Sequence, residues 1–450
     1  MHLPDTAHPP CRPTDRHPPA VARSAGPPAR AEPLTTADRE TALHGLLVRT
    51  RALHTESTES GDRYPLYADR GRWTWSRRGS WTPGFWSGLL DLATRTGVLP
   101  AGTAEAAAAR LAPRLVDDTV TRAMTFWYGA RTAGTLRTAA AERLLDSRMV
   151  STRLVPVGSA WGAGARGRAT LEVDCWAPLI RLLCRTGSGA LPEGRDTAAA
   201  LARHALSSAL TERPDGRIAV FGRLRADRSG ALLPDAPPTH GDRAFAWALL
   251  GLAEAAAHLP PAGETGLLAR HCAEAALRMS RQWPDPADTD TDTDTGIGTG
   301  TGLGTSTSTS TSTSTDITTG PGTRTTGTRA HTTVGTSPGP DAPPPDTSAD
   351  AIVAVARLKL AALGLPGCLD AADGTLARLV RHHVTRTAGP TSPGLPTGGA
   401  AFTGTRYRIR PGPGPGSGRA RTASVESVWG TFFLAHALAV RLGVLPAGEL

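Results

Sequence analysis

Helical periodicity, punctuated at intervals by glycine, constrains this chain more than any other feature. Apolar residues recur three and four positions apart in twelve segments, near 37–53, 83–97, 101–116, 117–134, 136–149, 174–187, 194–212, 243–259, 263–283, 348–364, 369–385 and 425–443. Gly97, Gly134, Gly187, Gly364 and Gly443 stand at segment ends, where glycine reaches the left-handed C-cap conformation without a Cβ clash. Asp174, Asp242 and Ser348 stand where N-caps are expected. Strand-like alternation is confined to 152–157 and 217–221. The chain therefore reads as all-α. Twelve helices in consecutive pairs fit a helical toroid, six inner helices ringed by six outer ones, although a bundle or a solenoid would use the same count.

Three stretches fall outside the pattern. Residues 1–35 are Pro-rich and aperiodic, and read as a disordered leader. Residues 284–345 run through Thr-Asp, Gly-Thr and Ser-Thr repeats into a Pro cluster. Nothing there buries enough apolar area to offset the entropy of ordering, so a long disordered insertion is expected. The Pro-Gly repeats of 387–420 read as a long loop. The expectation is one domain built from 36–283 and 346–450.

Composition narrows the function classes. The net charge is +9, and Lys359 is the only lysine, so the positive charge is nearly all arginine. The arginines are scattered rather than striped along one helix, which argues against a nucleic-acid partner and leaves an anionic small ligand open. No stretch reaches the ~20 apolar residues of a membrane span, and the first forty residues lack the apolar core of a signal peptide. Cys11, Cys175, Cys184, Cys272 and Cys368 show neither CxxC nor zinc-ligand spacing. An odd set of this kind fits reduced thiols, and a cytoplasmic protein without a metal is expected.

Four clusters carry candidate chemistry. Trp73, Trp75, Trp81 and Trp86 fall within fourteen residues, partly in the loop Trp81-Thr-Pro-Gly-Phe85-Trp86. Flat indole faces suit sugar rings; for Trp81 a sugar platform and a core anchor are both open. Asp174, in Leu-Glu172-Val-Asp174-Cys-Trp176, opens an apolar helix. A carboxyl between indole and aliphatic walls has the raised pKa of a general acid, and an N-cap is the alternative. In Thr239-His240-Gly241-Asp242-Arg243-Ala-Phe245-Ala-Trp247, Arg243 is suited to pair a carboxylate and Trp247 to stack. A solvent-facing polar turn ahead of a core helix is the plainer reading of that stretch. Asp346-Thr347-Ser348 reads as a capped helix start whose hydroxyls are also candidates for ligand contact. His382-His383 has no companion at metal-ligand spacing, and no phosphate-loop or nucleophile-elbow motif is present.

These clusters, in this order on an all-α chain, resemble glycoside hydrolase family 88, the unsaturated glucuronyl hydrolases, and the related unsaturated rhamnogalacturonyl hydrolases. The resemblance spans roughly 40–283 and 341–443. It implies an (α/α)6 barrel and a glycosidase that removes a Δ4,5-unsaturated uronic acid from an oligosaccharide by hydration of a vinyl ether, without metal or redox cofactor. On that basis Asp174 is the catalytic acid and base. Trp81, Thr239, His240, Arg243, Trp247, Thr347 and Ser348 are the expected substrate contacts. Where the family carries a His-Asp pair before Gly-Phe, this chain has Arg122-Ala123 ahead of Met-Thr-Phe126, so a second active-site carboxylate is replaced by Ala123. Loss of one member of a cooperating pair costs orders of magnitude in rate. A catalytically silent toroid that binds a carbohydrate or a protein is therefore the alternative expectation.

Overall fold

The computed structural model describes residues 32–147, 149–150, 155–158, 169–184, 192–283, 346–386, 399–409 and 421–449. The leader up to residue 31 and the insertion over 284–345 lie outside the described residues. All twelve periodic segments carry helix: α1 Thr36–Glu59, α2 Pro83–Arg95, α3 Thr103–Ala109, α4 Arg122–Gly129, α5 Gly134–Leu145 and α6 Trp176–Cys184. The second half follows with α7 Pro192–His204, α8 Arg243–His258, α9 Gly263–Gln282, α10 Thr347–Ala362, α11 Cys368–His383 and α12 Val428–Arg441.

The helices close into a ring. α2, α4, α6, α8, α10 and α12 each pack on the next, and α12 returns to α2. Outside them, α3 backs α2, α5 backs α4, α7 backs α6, α9 backs α8 and α11 backs α10, while α1 spans α12 and α2. This is the (α/α)6 barrel. Its inner helices are apolar on most of their circumference because both faces are covered. α10 is buried from Thr347 through Leu360 and α12 from Val428 through Ala439.

Helix starts are set by local chemistry. Thr35 and Asp38 form a reciprocal capping box on α1, so Thr35 and the buried Leu34, assigned above to the leader, belong to the domain. Pro83 occupies the first turn of α2, where a missing N–H costs nothing. Asp242 caps α8 through Phe245 N at 3.1 Å, and Ser427 caps α12 through Gly430 N at 3.1 Å. The cap of α10 is Asp346, which accepts from Ser348 N at 3.2 Å, rather than Ser348 itself. Gly84 explains the Pro-Gly pair of its motif: a Cβ there would meet Met124 O at 2.4 Å, so only glycine lets α2 cross α4 this closely.

The short strands all lie in the connections between helices. The largest sheet is antiparallel, in the order Thr405–Ile409, Arg421–Ser427, Tyr64–Asp69, Arg72–Ser76. It corrects two expectations: part of 387–420 is strand rather than loop, and α12 begins at Val428 after a strand. The strand-like pieces near 152–157 and 217–221 contain Val155–Pro156 and Ile218–Val220. Among the described residues no helix is long and apolar enough to cross a membrane.

Candidate active site

The starts of the inner helices meet at one end of the barrel, and the sequence clusters meet with them. Trp81, just ahead of α2, lies half-buried with its ring centroid 4.8 Å from Trp429 at the start of α12 and 5.7 Å, edge-on, from Phe85. Arg243, the first residue of α8, reaches Asp346 ahead of α10, with Nε 3.5 Å from Oδ2. Its Nη2 donates to Arg406 O at 3.2 Å, and the guanidinium lies 5.7 Å from the Trp429 ring.

Asp174 sits in a 3₁₀ turn, Val173–Cys175, that leads into α6. Val173 N donates to Gly222 O at 3.1 Å, tying this turn to the segment before α8. The Asp174 side chain is partly open to solvent, yet its surroundings are apolar enough that burial raises its pKa above the usual carboxylate range. Arg243 and Arg223 pull in the opposite direction, and Asp242 adds to the rise. Arg223 is itself shared, with Nη2 3.3 Å from Glu172 Oε1 and Nη1 3.7 Å from Asp235 Oδ2. The result is a carboxyl whose proton affinity is raised by burial and lowered by the charges of Arg243 and Arg223.

The other expected contacts divide. Thr239 is exposed and its backbone pairs with Val220 in both directions, at 2.7 and 2.8 Å. His240 bonds Ile218 O through Nδ1 at 2.6 Å and stands edge-on to Phe245. The structure buries three of them. Trp247 is only 1% exposed; it is one helical turn deeper than Arg243 and packs edge-on against Phe433, 5.2 Å away, inside the ring. Thr347 and Ser348 are wholly buried. The Thr347 hydroxyl donates to Thr403 O at 2.9 Å and the Ser348 hydroxyl to Asp346 Oδ1 at 2.7 Å, so both are spent on holding the site together.

At the start of α4, Ala123 is fully buried. Arg122 turns away toward α5, donating to Leu115 O at 2.7 Å, Ser147 Oγ at 2.9 Å and Arg143 O at 3.2 Å. Asp117 is held by Arg78 at 2.6 Å and by Arg114. Sequence reasoning left out Trp429 and Arg406 as site residues; the Ser427 cap was the one local sign that Trp429 opens an inner helix. Among the described residues no three His, Cys, Asp or Glu side chains cluster as metal ligands. A cavity between α1 and α11, lined by Leu34, Thr41, Ala42, Val380 and Arg381, includes none of these residues.

No protein-family model matches the sequence, and no curated protein matches it either. Solved structures do match in fold. The unsaturated glucuronyl hydrolase of Bacillus sp. GL1, described as responsible for the degradation of glycosaminoglycan, is 19% identical with a TM-score of 0.59, over 90% of this chain and 96% of that one. An unsaturated glucuronyl hydrolase specific for heparin is 16% identical with a TM-score of 0.59, over 91% and 99%. The Streptococcus agalactiae enzyme is 16% identical with a TM-score of 0.56, over 93% and 96%. The chain thus has the fold of the unsaturated glucuronyl hydrolases along nearly its whole length.

Proposed function

We propose that this protein is a glycoside hydrolase that removes a Δ4,5-unsaturated uronic acid from the non-reducing end of an oligosaccharide, with Asp174 as its acid and base. The observation that carries this reading is Asp174 itself, a carboxyl whose pKa burial raises and on which the charge of Arg243 acts, together with Arg243 and Trp81 meeting at the same Trp429 ring. The fold shared with unsaturated glucuronyl hydrolases supports it.

The chemistry needs one acid and one water. The protonated Asp174 carboxyl gives its proton to C4 of the vinyl ether, and the positive charge that develops at C5 is shared with the ring oxygen. The carboxylate then takes a proton from water as the water oxygen bonds C5. The resulting hemiketal opens and releases the partner sugar. Arg243 holds the uronate carboxylate and Trp81 offers an indole face to a ring. Ala123 leaves Asp174 to perform both proton transfers without a second carboxylate from α4.

That same Ala123, with Arg122 turned toward α5, favours a second reading: a toroid that binds the oligosaccharide without turning it over. Loss of ultraviolet absorbance from the conjugated C4=C5 bond separates the two, read on a panel of lyase-generated unsaturated disaccharides with Asp174→Asn as control. Decay with the wild type and none with the variant is expected of the hydrolase. Binding without decay in either protein is expected of the silent toroid.

A further inference from the structure

We propose that Asp346 is a positioning residue of this site, clamping Arg243 so that its charge reaches Asp174 from a fixed place. The proposal builds on the reading of Asp174 and Arg243 as the acid and the carboxylate-binding group. It rests on a closed loop of three contacts. Asp346 Oδ1 accepts from Arg406 N at 3.2 Å, Arg406 O accepts from Arg243 Nη2 at 3.2 Å, and Arg243 Nε returns to Asp346 Oδ2 at 3.5 Å.

The two oxygens of Asp346 have separate tasks. Oδ1 takes three hydrogen bonds, from Ser348 N, Ser348 Oγ and Arg406 N. Oδ2 is buried and accepts no hydrogen bond from the described residues; its neighbour is the Arg243 guanidinium. A buried carboxylate oxygen without a hydrogen bond is costly to keep, and among the described residues the charge of Arg243 compensates it. The loop is rigid because the strand carrying Arg406 is fixed to α10. Thr347 N donates to Gly404 O at 3.2 Å, and its hydroxyl donates to Thr403 O. Gly404, at φ +94°, leaves no room for a Cβ, which would lie 2.5 Å from Thr347 Cγ2.

Arg243 is paired with Asp346, and its charge also acts on Asp174. The other charged groups acting on Asp174 are Arg223, from the strand Arg223–Ala226, and Asp242, the cap of α8. Removing the charge of Asp346 frees Arg243 to turn to its remaining carboxylate, which stabilises ionised Asp174 and lowers the fraction of acid available at neutral pH.

Asp346→Asn tests this, because asparagine keeps the Oδ1 acceptor and with it the cap of α10. The readout is the pH titration of the Asp174 side-chain carboxyl by 13C NMR in the full-length chain, assigned by its disappearance in Asp174→Asn. The midpoint is expected to fall in Asp346→Asn and to stay in place when the same change is made in an Arg243→Met background. An unmoved midpoint in the first case, or an equal shift in both, overturns the proposal. If near-ultraviolet circular dichroism shows that Asp346→Asn does not fold, Arg243→Lys serves. It keeps the charge but loses the two-point clamp, and an unchanged Asp174 midpoint there is equally fatal. The titration needs no substrate, so its outcome is separate from that of the absorbance assay.

Discussion

Lys359 Nζ lies 3.0 Å from Glu254 Oε1, deep in the barrel at the end away from Asp174. The only lysine of the chain is thus buried, 3% exposed, and faces a carboxylate that is equally inaccessible. Arg181 and His258 join the same carboxylate, each at its Oε2. Burial pushes Lys359 down to about 8 despite Glu254. On Glu254, burial acts upward but is outweighed by Lys359, Arg181 and His258, and the carboxyl is lowered to about 2. The asymmetry follows from the count: two buried cations, Lys359 and Arg181, share one anion, while burial lowers the His258 pKa.

That count sets the first prediction. Glu254→Leu leaves Lys359 and Arg181 buried without their counter-ion, which costs about 3–5 kcal/mol, a large part of the ~5–15 kcal/mol that holds a domain together. Lys359→Met removes one cation, leaves Arg181 on Glu254, and costs less. Urea unfolding of the two variants measures the difference. Equal losses would show that Glu254 is not the hub.

Acid stability follows with a definite sign. The Glu254 pKa is lower in the folded chain than the ordinary 4.5, so its contribution is complete above pH ~4.5 and disappears as pH falls toward 2, a loss of about 3 kcal/mol. Asp174, Asp350 and Glu426 are shifted the other way by burial. Each costs stability as a carboxylate and returns it on protonation. The unfolding midpoint is therefore expected to drop steeply as pH falls below about 4.5 toward 2, with protonation of Asp174, Asp350 and Glu426 working against that loss. A midpoint that falls steadily from pH 7 would remove Glu254 as the dominant group.

The last turn of the chain, Ala447–Glu449, closes this end of the ring. Lys359 donates to Ala447 O at 3.2 Å, Arg181 to Gly448 O, and Arg131 to Glu449 O at 2.8 Å, while Arg95 meets the Glu449 carboxylate at 3.2 Å. These cations come from α10, α6, the residues just after α4, and α2. Ending the chain at Pro446 removes three charge-assisted hydrogen bonds to carbonyls, each worth about 1.5–3 kcal/mol before water replaces part of it. A net loss of about 3 kcal/mol is expected in thermal or urea unfolding, with ligand binding at the opposite end unchanged at low temperature. Unaltered stability would mean that the turn only covers the cluster.

The helices were legible because each inner segment carries a continuous apolar period, and in α8 a recognisable cap, Asp242. The sheet was not, since Tyr64–Asp69 pairs with Arg421–Ser427 across most of the chain and no local signal records the pairing. Asp346 and Ser348 are both good capping residues two positions apart, so sequence alone put the cap on the wrong one. Trp247 shows the limit at the site. It shares a helix face with Arg243, but about 6 Å further along the axis, and that one turn separates the rim from the core. Asp174 was also readable as an N-cap, and only the structure puts it inside the turn Val173–Cys175 rather than at a helix cap.

Trp81 is the residue whose two roles remain to be separated, and its contacts say how. It packs on Trp429 and edge-on to Phe85 while keeping part of its surface open. Trp81→Phe keeps a ring for that packing; Trp81→Ala removes it. As a sugar platform, Trp81→Ala weakens binding of an unsaturated disaccharide by about five- to twenty-fold, equivalent to roughly 1–2 kcal/mol. Trp81→Phe then retains most of the stability and loses part of the affinity. Calorimetric titration in the Asp174→Asn background measures affinity free of turnover, and urea unfolding measures packing. Reduced stability with unchanged affinity in Trp81→Ala would make the indole an anchor for α2 and move the sugar-facing surface to the exposed groups around Thr239 and His240.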